Sequence, residues 1–359
     1  PDYASAARLL AQSHLRVAVL GRDQESRVLH ARESKRWGEL TQKLMPGGAG
    51  DGVLSNYYSI GEADCVRALP LAENAVRALP NDAESHHYLA LALLGFGRLD
   101  EAITQIKRAI ELEPRNLNYH RNLVNFCSYL RRAPECRAAV ETYYSVRQPG
   151  DNRDTPILAN FRLSGELPKS LDDMTPFQRV GWLWRSRRFE ETLVAIEEAL
   201  ASPEVGDLDR LELLGQKCEV LKRLTRDSEA GAAARATLVL AEKLQAIPEI
   251  GPTEKPRWLA LAYSRTGRVD DAVTLTRRFI EGMSPVNQAL WRWRREVIAA
   301  EIYASVGRRQ ECCELLAKML RTPSALTVPM LKVDPTWDNL REEAGFKALL
   351  ADPKNSAEL

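Results

Sequence analysis

Residues 83–116 read AESHHYLALALLGFGRLDEAITQIKRAIELEPRN. Two amphipathic helical patterns are joined at a glycine and closed by a proline. Leu89, Ala90 and Leu93 fall on one stripe of a first helix, and Ala102, Ile106, Ala109 and Ile110 mark the facing stripe of a second. The small side chains of Ala102 and Ala109 let two helices approach to the roughly 8–10 Å of close packing. Gly97 sits where the chain must turn back. Pro114 stops the second helix, because it lacks an N–H and disfavours helical geometry in the residue before it. A unit of this size cannot bury its apolar face alone, so neighbouring units must stack on it.

Working outward, residues 117–149 continue in phase, with Leu123 in the first helix and Cys136 and Val140 in the second; Arg131 stands where the turn glycine would be. Backwards, Ala68, Ala75 and Pro80 fall in register, and Pro70 is expected to kink or shorten that second helix. SAARLLAQSHLRVAVLG reads as an opening helix with RDQESRVLHARESKRW as its partner. LMPGGAGDG (44–52) reads as a flexible loop; no Gly-Lys-Ser/Thr follows it, so it is no phosphate cradle. Around 148–175 the pattern lapses into Pro, Gly and Asp, with a short helix near 157–163. Pairing then resumes with Trp184, Ile196 and Ala199, followed by two longer helices over 208–224 and 228–246.

A second clear unit spans 253–286, carrying Leu259, Ala260, Tyr263, Gly267, Val269 and Ala272. A third carries Ala300, Tyr303, Gly307, Cys312 and Leu316. The Gly267–Gly307 spacing exceeds one 34-residue period, so the helix holding Trp291 and Trp293 is extended.

These units resemble tetratricopeptide repeats, the 34-residue helix-turn-helix modules of α-solenoids. The small positions, the turn glycine and the terminal proline of 83–116 match that pattern, while His86 stands at the first large-aromatic position. The resemblance implies an all-α, right-handed solenoid: repeats over 1–150, an irregular linker or bend at 151–174, repeats over 175–322 and a capping tail at 323–359. Within that tail, Val333, Asp334, Pro335, Trp337, Asp338, Leu340, Arg341, Phe346, Leu349 and Leu350 resemble the ending of a bacterial group of regulators. Their N-terminal domain is a kinase, a nucleotide cyclase, a TIR domain or a DNA-binding domain. Asn339 and Glu343–Gly345 depart from that ending. Read from its residues alone, the tail is a cap: Asp334 caps a short helix begun by Pro335, and Trp337, Leu340, Phe346 and Leu349 cover the last repeat.

Composition sets further bounds. The 359 residues are 45% hydrophobic, enough for a substantial core, and 28% charged. Lys+Arg number 50 against Asp+Glu 49, a net charge of +1 that offers no electrostatic footprint for nucleic acid. No apolar run is long enough for a membrane span and residues 1–30 show no signal-peptide pattern, so no membrane partner is expected. Pro1 in place of Met is expected of a piece of a longer chain. The six cysteines form no CxxC pair and no metal spacing; Cys136 and Cys312 take small-residue positions, which fits a reducing cytoplasm.

No catalytic residue, metal ligand or cofactor site emerges. His86 and His87 diverge by about 100° on a helix, and His14, His30 and His120 stand isolated in sequence. The pairs Glu190–Glu191 and Glu197–Glu198, like the Trp/Arg run at 291–295, read as solvated helix faces. Function is expected instead on the concave face, which the first helices line in tetratricopeptide arrays. There Arg121, Asn122 and Asn125 are joined by His87, Tyr88 and Leu91 before them and by Phe177 and Gln178 after them. Arg121 and Asn125 share one helix face and resemble part of a carboxylate clamp. The expected role is a non-enzymatic scaffold for a protein or peptide segment, with self-association a further use of the same face. The alternative is a regulatory module of a larger signalling protein.

Overall fold

Ala63, Gly97 and Arg131 adopt left-handed backbone conformations, with φ of 53°, 73° and 56°. They stand one 34-residue period apart, and each turns the chain from the first helix of a hairpin into the second. Further along, Arg187, Thr225, Gly267 and Gly307 make the same turn with φ between 58° and 80°. Glycine adopts this conformation freely, whereas a side chain there costs energy. The repeat thus persists at Ala63, Arg131, Arg187 and Thr225, where the sequence hides it.

The computed structural model describes residues 2–20, 24–148, 154–203, 205–245, 255–281 and 289–359. Among these there is no strand. The described residues form two compact units, one of 2–148 with 289–292, the other of the remainder.

The first unit runs through α1 (Asp2–Leu20), α2 (Gln24–Leu44), α3 (Ala49–Asn56), α4 (Cys65–Ala78), α5 (Ala83–Gly95), α6 (Leu99–Leu112), α7 (Leu117–Tyr129) and α8 (Ala133–Val146), each packed on the next. Asp82 and Asn116 cap α5 and α7 through their side chains, again one period apart. The fully buried Ala68, Ala102 and Cys136 repeat at the small position of the second helices.

Two expectations are corrected here. The glycine-rich stretch is no loop beyond residue 48: α3 begins at Ala49, and its glycines are contact points. A Cβ at Gly50 would stand 2.3 Å from the Cα of Gln42, and one at Gly52 would stand 3.2 Å from the Tyr88 ring. A short π-helical turn, Tyr57–Gly61, finishes that first helix. Nor does Pro70 shorten its helix, since α4 runs unbroken for 14 residues around it.

The second unit opens with α9 (Thr155–Ser164), then α10 (Pro176–Arg185), α11 (Phe189–Ala201), α12 (Asp207–Arg223), α13 (Asp227–Gln245), α14 (Lys255–Arg265) and α15 (Val269–Glu281). α16 (Ala289–Ser305) and α17 (Arg309–Met319) follow, α16 contributing from residue 293. α10 starts with a full capping box between Thr175 and Gln178. Consecutive hairpins bury Trp184, Ile196, Leu213 and Leu221 in one cluster, and Leu211, Leu244, Phe279 and Ile302 in the next. The expected unit at 253–286 runs at both ends outside the described residues, as does the side chain of Trp291.

The tail consists of α18 (Val328–Val333), a 3₁₀ turn (Pro335–Leu340) and α19 (Ala344–Ala351). Asp334 caps the 3₁₀ turn by accepting from the Thr336 N–H, as its sequence predicts. Leu326, Leu331, Trp337, Leu340 and Phe346 are buried against α16 and α17.

Candidate protein-binding face

Residues at equivalent positions of α5 and α7, 34 apart, build the face of the first unit. His86 and His120 are one such pair, and both are buried. Nε2 of His86 meets the Pro80 carbonyl at 3.0 Å, and Nε2 of His120 meets the Pro114 carbonyl at 2.7 Å. Each imidazole therefore donates to the proline carbonyl that follows the preceding hairpin. This accounts for histidine at the large-aromatic position, where it fills space and satisfies an orphan carbonyl.

The next pair, His87 and Arg121, lies beside Asn122. Asn122 Nδ2 donates to His87 Nε2 at 2.8 Å, and the His87 ring lies 5.0 Å from the Tyr119 ring. Burial, with Arg121 adding a smaller push, lowers the His87 pKa to about 4, so the imidazole is a neutral acceptor at pH 7. Leu91, Arg121 and Asn125 are half-buried on the same two helices, and both polar side chains are engaged.

Tyr88 sits differently. It is only 4% exposed, and its hydroxyl accepts from Gln12 Nε2 at 3.0 Å. α1 reaches it by crossing to α5: Gln12 also donates to Glu84 at 2.7 Å, and Arg8 pairs with Asp82 and Glu84. α1 thus covers the end of the face that Tyr88 marks. Where α1 meets α2, His14 and His30 are not isolated, their Nδ1 atoms standing 2.7 Å apart.

The second unit holds a cavity of about 700 Å³. Phe177, Gln178, Arg185, Glu219, Arg223 and Arg265 are on its wall, as are Asp334, Thr336 and Asn339 of the tail. Phe177 and Gln178 therefore belong to this cavity. Arg265 lies over Gly215, where a Cβ would be 2.3 Å from Nη1 and would displace the tip of the guanidinium. Glu219 is half-buried, which works against its charge, but Arg265 at 3.1 Å and Lys222 hold its pKa below the ordinary value. Asp154 is half-buried, and its partial desolvation raises its pKa.

The tail enters this wall through charge. Trp184 Nε1 donates to Asp334 Oδ1 at 3.1 Å, and Arg185 Nε lies 3.2 Å from the other oxygen. Arg187 grips Asp338 with two bonds of 2.7 Å, and Arg223 reaches both Asp338 and the Pro335 carbonyl. Burial opposes the charge of Asp338, yet hydrogen bonds from Arg187 and Arg341 lower its pKa to about 2. Asn339, a departure from the regulator-type ending, donates to the Ala304 carbonyl at 2.6 Å at the end of α16.

The sequence profile that matches the chain is that of the tetratricopeptide repeat, over residues 83–116. Residues 83–116 are a tetratricopeptide repeat. No curated protein matches the chain. Among solved structures, it is similar to PilW, a widely conserved type IV pilus biogenesis factor, at 15% identity and a TM-score of 0.29, covering 75% of this chain and 98% of that one. It is also similar to a structure of Naa15/Naa10 bound to HypK-THB, at 15% identity and a TM-score of 0.34, with 97% and 59% covered. Yeast Tom70 follows at 13% identity and a TM-score of 0.36, with 98% and 66% covered. Likenesses this distant say nothing of what the present chain does.

Around the tetratricopeptide repeat at 83–116, the flanking hairpins keep its period in caps, turns and small residues. The tail contacts to Arg185, Arg187 and Arg223 were not legible in the sequence. They join residues 112 to 151 apart, and no local pattern encodes such a pairing. The basic run at 185–188 is the one visible signal.

Proposed function

We propose that this chain is a non-enzymatic interaction scaffold whose first unit binds a protein or peptide segment. His87, Leu91, Arg121, Asn122 and Asn125 form the wall of the site, and Tyr88 stands at its α1-covered end. Stacked tetratricopeptide repeats characteristically present extended concave binding surfaces. The supporting observation is the Asn122–His87 bond, which ties the polar positions of α5 to those of α7. A wall already ordered loses less entropy when a segment docks, so more of the contact energy appears as affinity. A few anchors then carry most of the binding.

Immobilised full-length chain should retain a protein from extracts of its source that Arg121→Glu fails to retain and Val239→Glu, altered on exposed α13, still retains. If no captured protein depends on Arg121, the assignment fails.

A second reading, a regulatory module packed against another domain or another copy, draws on α1. Its outer face shows Tyr3, Leu10 and Val17, seven residues apart and 64%, 38% and 38% exposed. Such a stripe is covered in many proteins. Sedimentation of the wild type and of Leu10→Lys separates self-association, which the variant would abolish, from a monomer.

A further inference from the structure

The tail of the second unit has two unlike sides. Toward α16 and α17 its centre is apolar: Leu326, Leu331, Trp337, Leu340 and Phe346 share one buried cluster with Leu316 and Leu320, and Asn339 on the Ala304 carbonyl and Glu343 on Arg309 lie at the edge of that cluster. Toward α10, the α10–α11 turn and α12 it is held by charge, with Asp334 on Trp184 and Arg185 and Asp338 on Arg187 and Arg223. α18 adds contacts to α9: Thr327 Oγ1 donates to the Arg162 carbonyl, and Pro329 and Val333 pack beside Gly165. One segment therefore joins the last hairpin of the unit to its first. Its 3₁₀ turn also places Asp334, Thr336 and Asn339 on the wall of the 700 Å³ cavity.

We infer that this tail is a strap with a fixed end and a releasable end, and that its release widens the cavity. The fixed end is the apolar seat on α16–α17, whose burial does not rest on charge and is not screened by salt. The releasable end is the Asp334/Asp338 catch. Arg187 and Arg223 are 46% and 33% exposed in their side chains, so solvent ions reach the catch and screen it. Breaking the catch frees α10–α11 from the tail and removes one side of the cavity wall, while the seat keeps the tail attached. The catch is specific in geometry: a planar guanidinium holds both oxygens of Asp338. A displaced strap can therefore close again in one register.

Hydrogen exchange on the full chain tests this directly. In Asp338→Lys, and in the wild type at 1 M sodium chloride, amides of 176–201 and 334–338 should exchange at least five-fold faster than in the wild type at low salt. Those of 309–319 should stay as protected as before. Asp338→Asn, which keeps the side chain's shape and loses its charge, should loosen the same amides and excludes a simple folding defect. A cysteine introduced at Ser264 on the cavity wall should react faster with a small alkylating reagent when Asp338→Lys is added, the site being resolved by peptide mass. Unchanged exchange at 176–201 in Asp338→Lys would make the tail a passive cap and overturn the strap. Equal loosening of 309–319 would also overturn it, because seat and catch would then be one structure.

Discussion

At the scale of single residues, two kinds of side chain hold positions that their type alone would not choose. Thr225 is β-branched and exposed, yet it makes a hairpin turn with φ of 58°. Its place in the left-handed region costs on the order of 1 kcal/mol. Thr225→Gly should therefore raise the stability of the chain by about that amount, measured as a shift of the denaturant midpoint. A loss of stability would show that the turn is not strained. Asp338 is the other kind. Its carboxyl titrates near 2 in the fold, against an ordinary 3.8. The ionised form is thus favoured by folding, and its contribution of about 2 kcal/mol is complete above pH 4. That contribution should fade as pH drops from 4 toward 2. Asp338→Asn should lack it at pH 6 and show a flatter stability profile below pH 4. A variant as stable as the wild type at pH 6 would contradict the ion-pair account.

At the scale of elements, the hairpins explain what the sequence did and did not disclose. α5 and α6 were legible because alanines, the turn glycine and the terminal proline all agree. α3 was hidden by Gly47, Gly48, Gly50 and Gly52, which read as loop. Two of them are close-packing sites, a role that becomes visible only once α2 and Tyr88 are in place. Gly50→Ala would force a methyl to 2.3 Å from the Gln42 backbone. Overpacking against backbone costs about 1–3 kcal/mol or more, so the variant should melt well below the wild type. An unchanged melting temperature would mean that α2 and α3 are not in contact there.

The α5–α7 pair carries a pH dependence of its own. The pKa of His87 is lowered from 6.5 to about 4, so the unfolded chain binds a proton before the folded one does. The first unit should lose stability as pH falls from 6.5 toward 4, and His87→Gln should remove part of that slope. An NMR titration placing His87 near 6.5 would contradict its burial. Arg121 and Asn125 share one face of α7, as their spacing predicts. The covering of Tyr88 by α1 was not foreseeable, because Gln12 and Tyr88 are joined across 76 residues.

At the scale of the molecule, two units built from the same kind of hairpin end in different ways. The first unit places a neutral His87, bonded to Asn122, beside the charged Arg121, with α1 over one end. The second holds an open-sided cavity to whose wall its own tail contributes. Neither arrangement assembles a nucleophile with a base, and among the described residues no cluster of three His, Cys, Asp or Glu side chains is placed to hold a metal ion. No helix among them is long and apolar enough to cross a membrane. It is the tetratricopeptide repeat that supports an interaction role in general.

The central claim is that a protein segment docks on the α5–α7 face of the first unit. A photo-cross-linking amino acid placed at Leu91 tests it most directly, with the same group at Val239 as control. Docking there should give a discrete adduct from position 91 that Arg121→Glu abolishes, and no such adduct from position 239. Adducts that form equally at both positions, or that persist unchanged in Arg121→Glu, would contradict it.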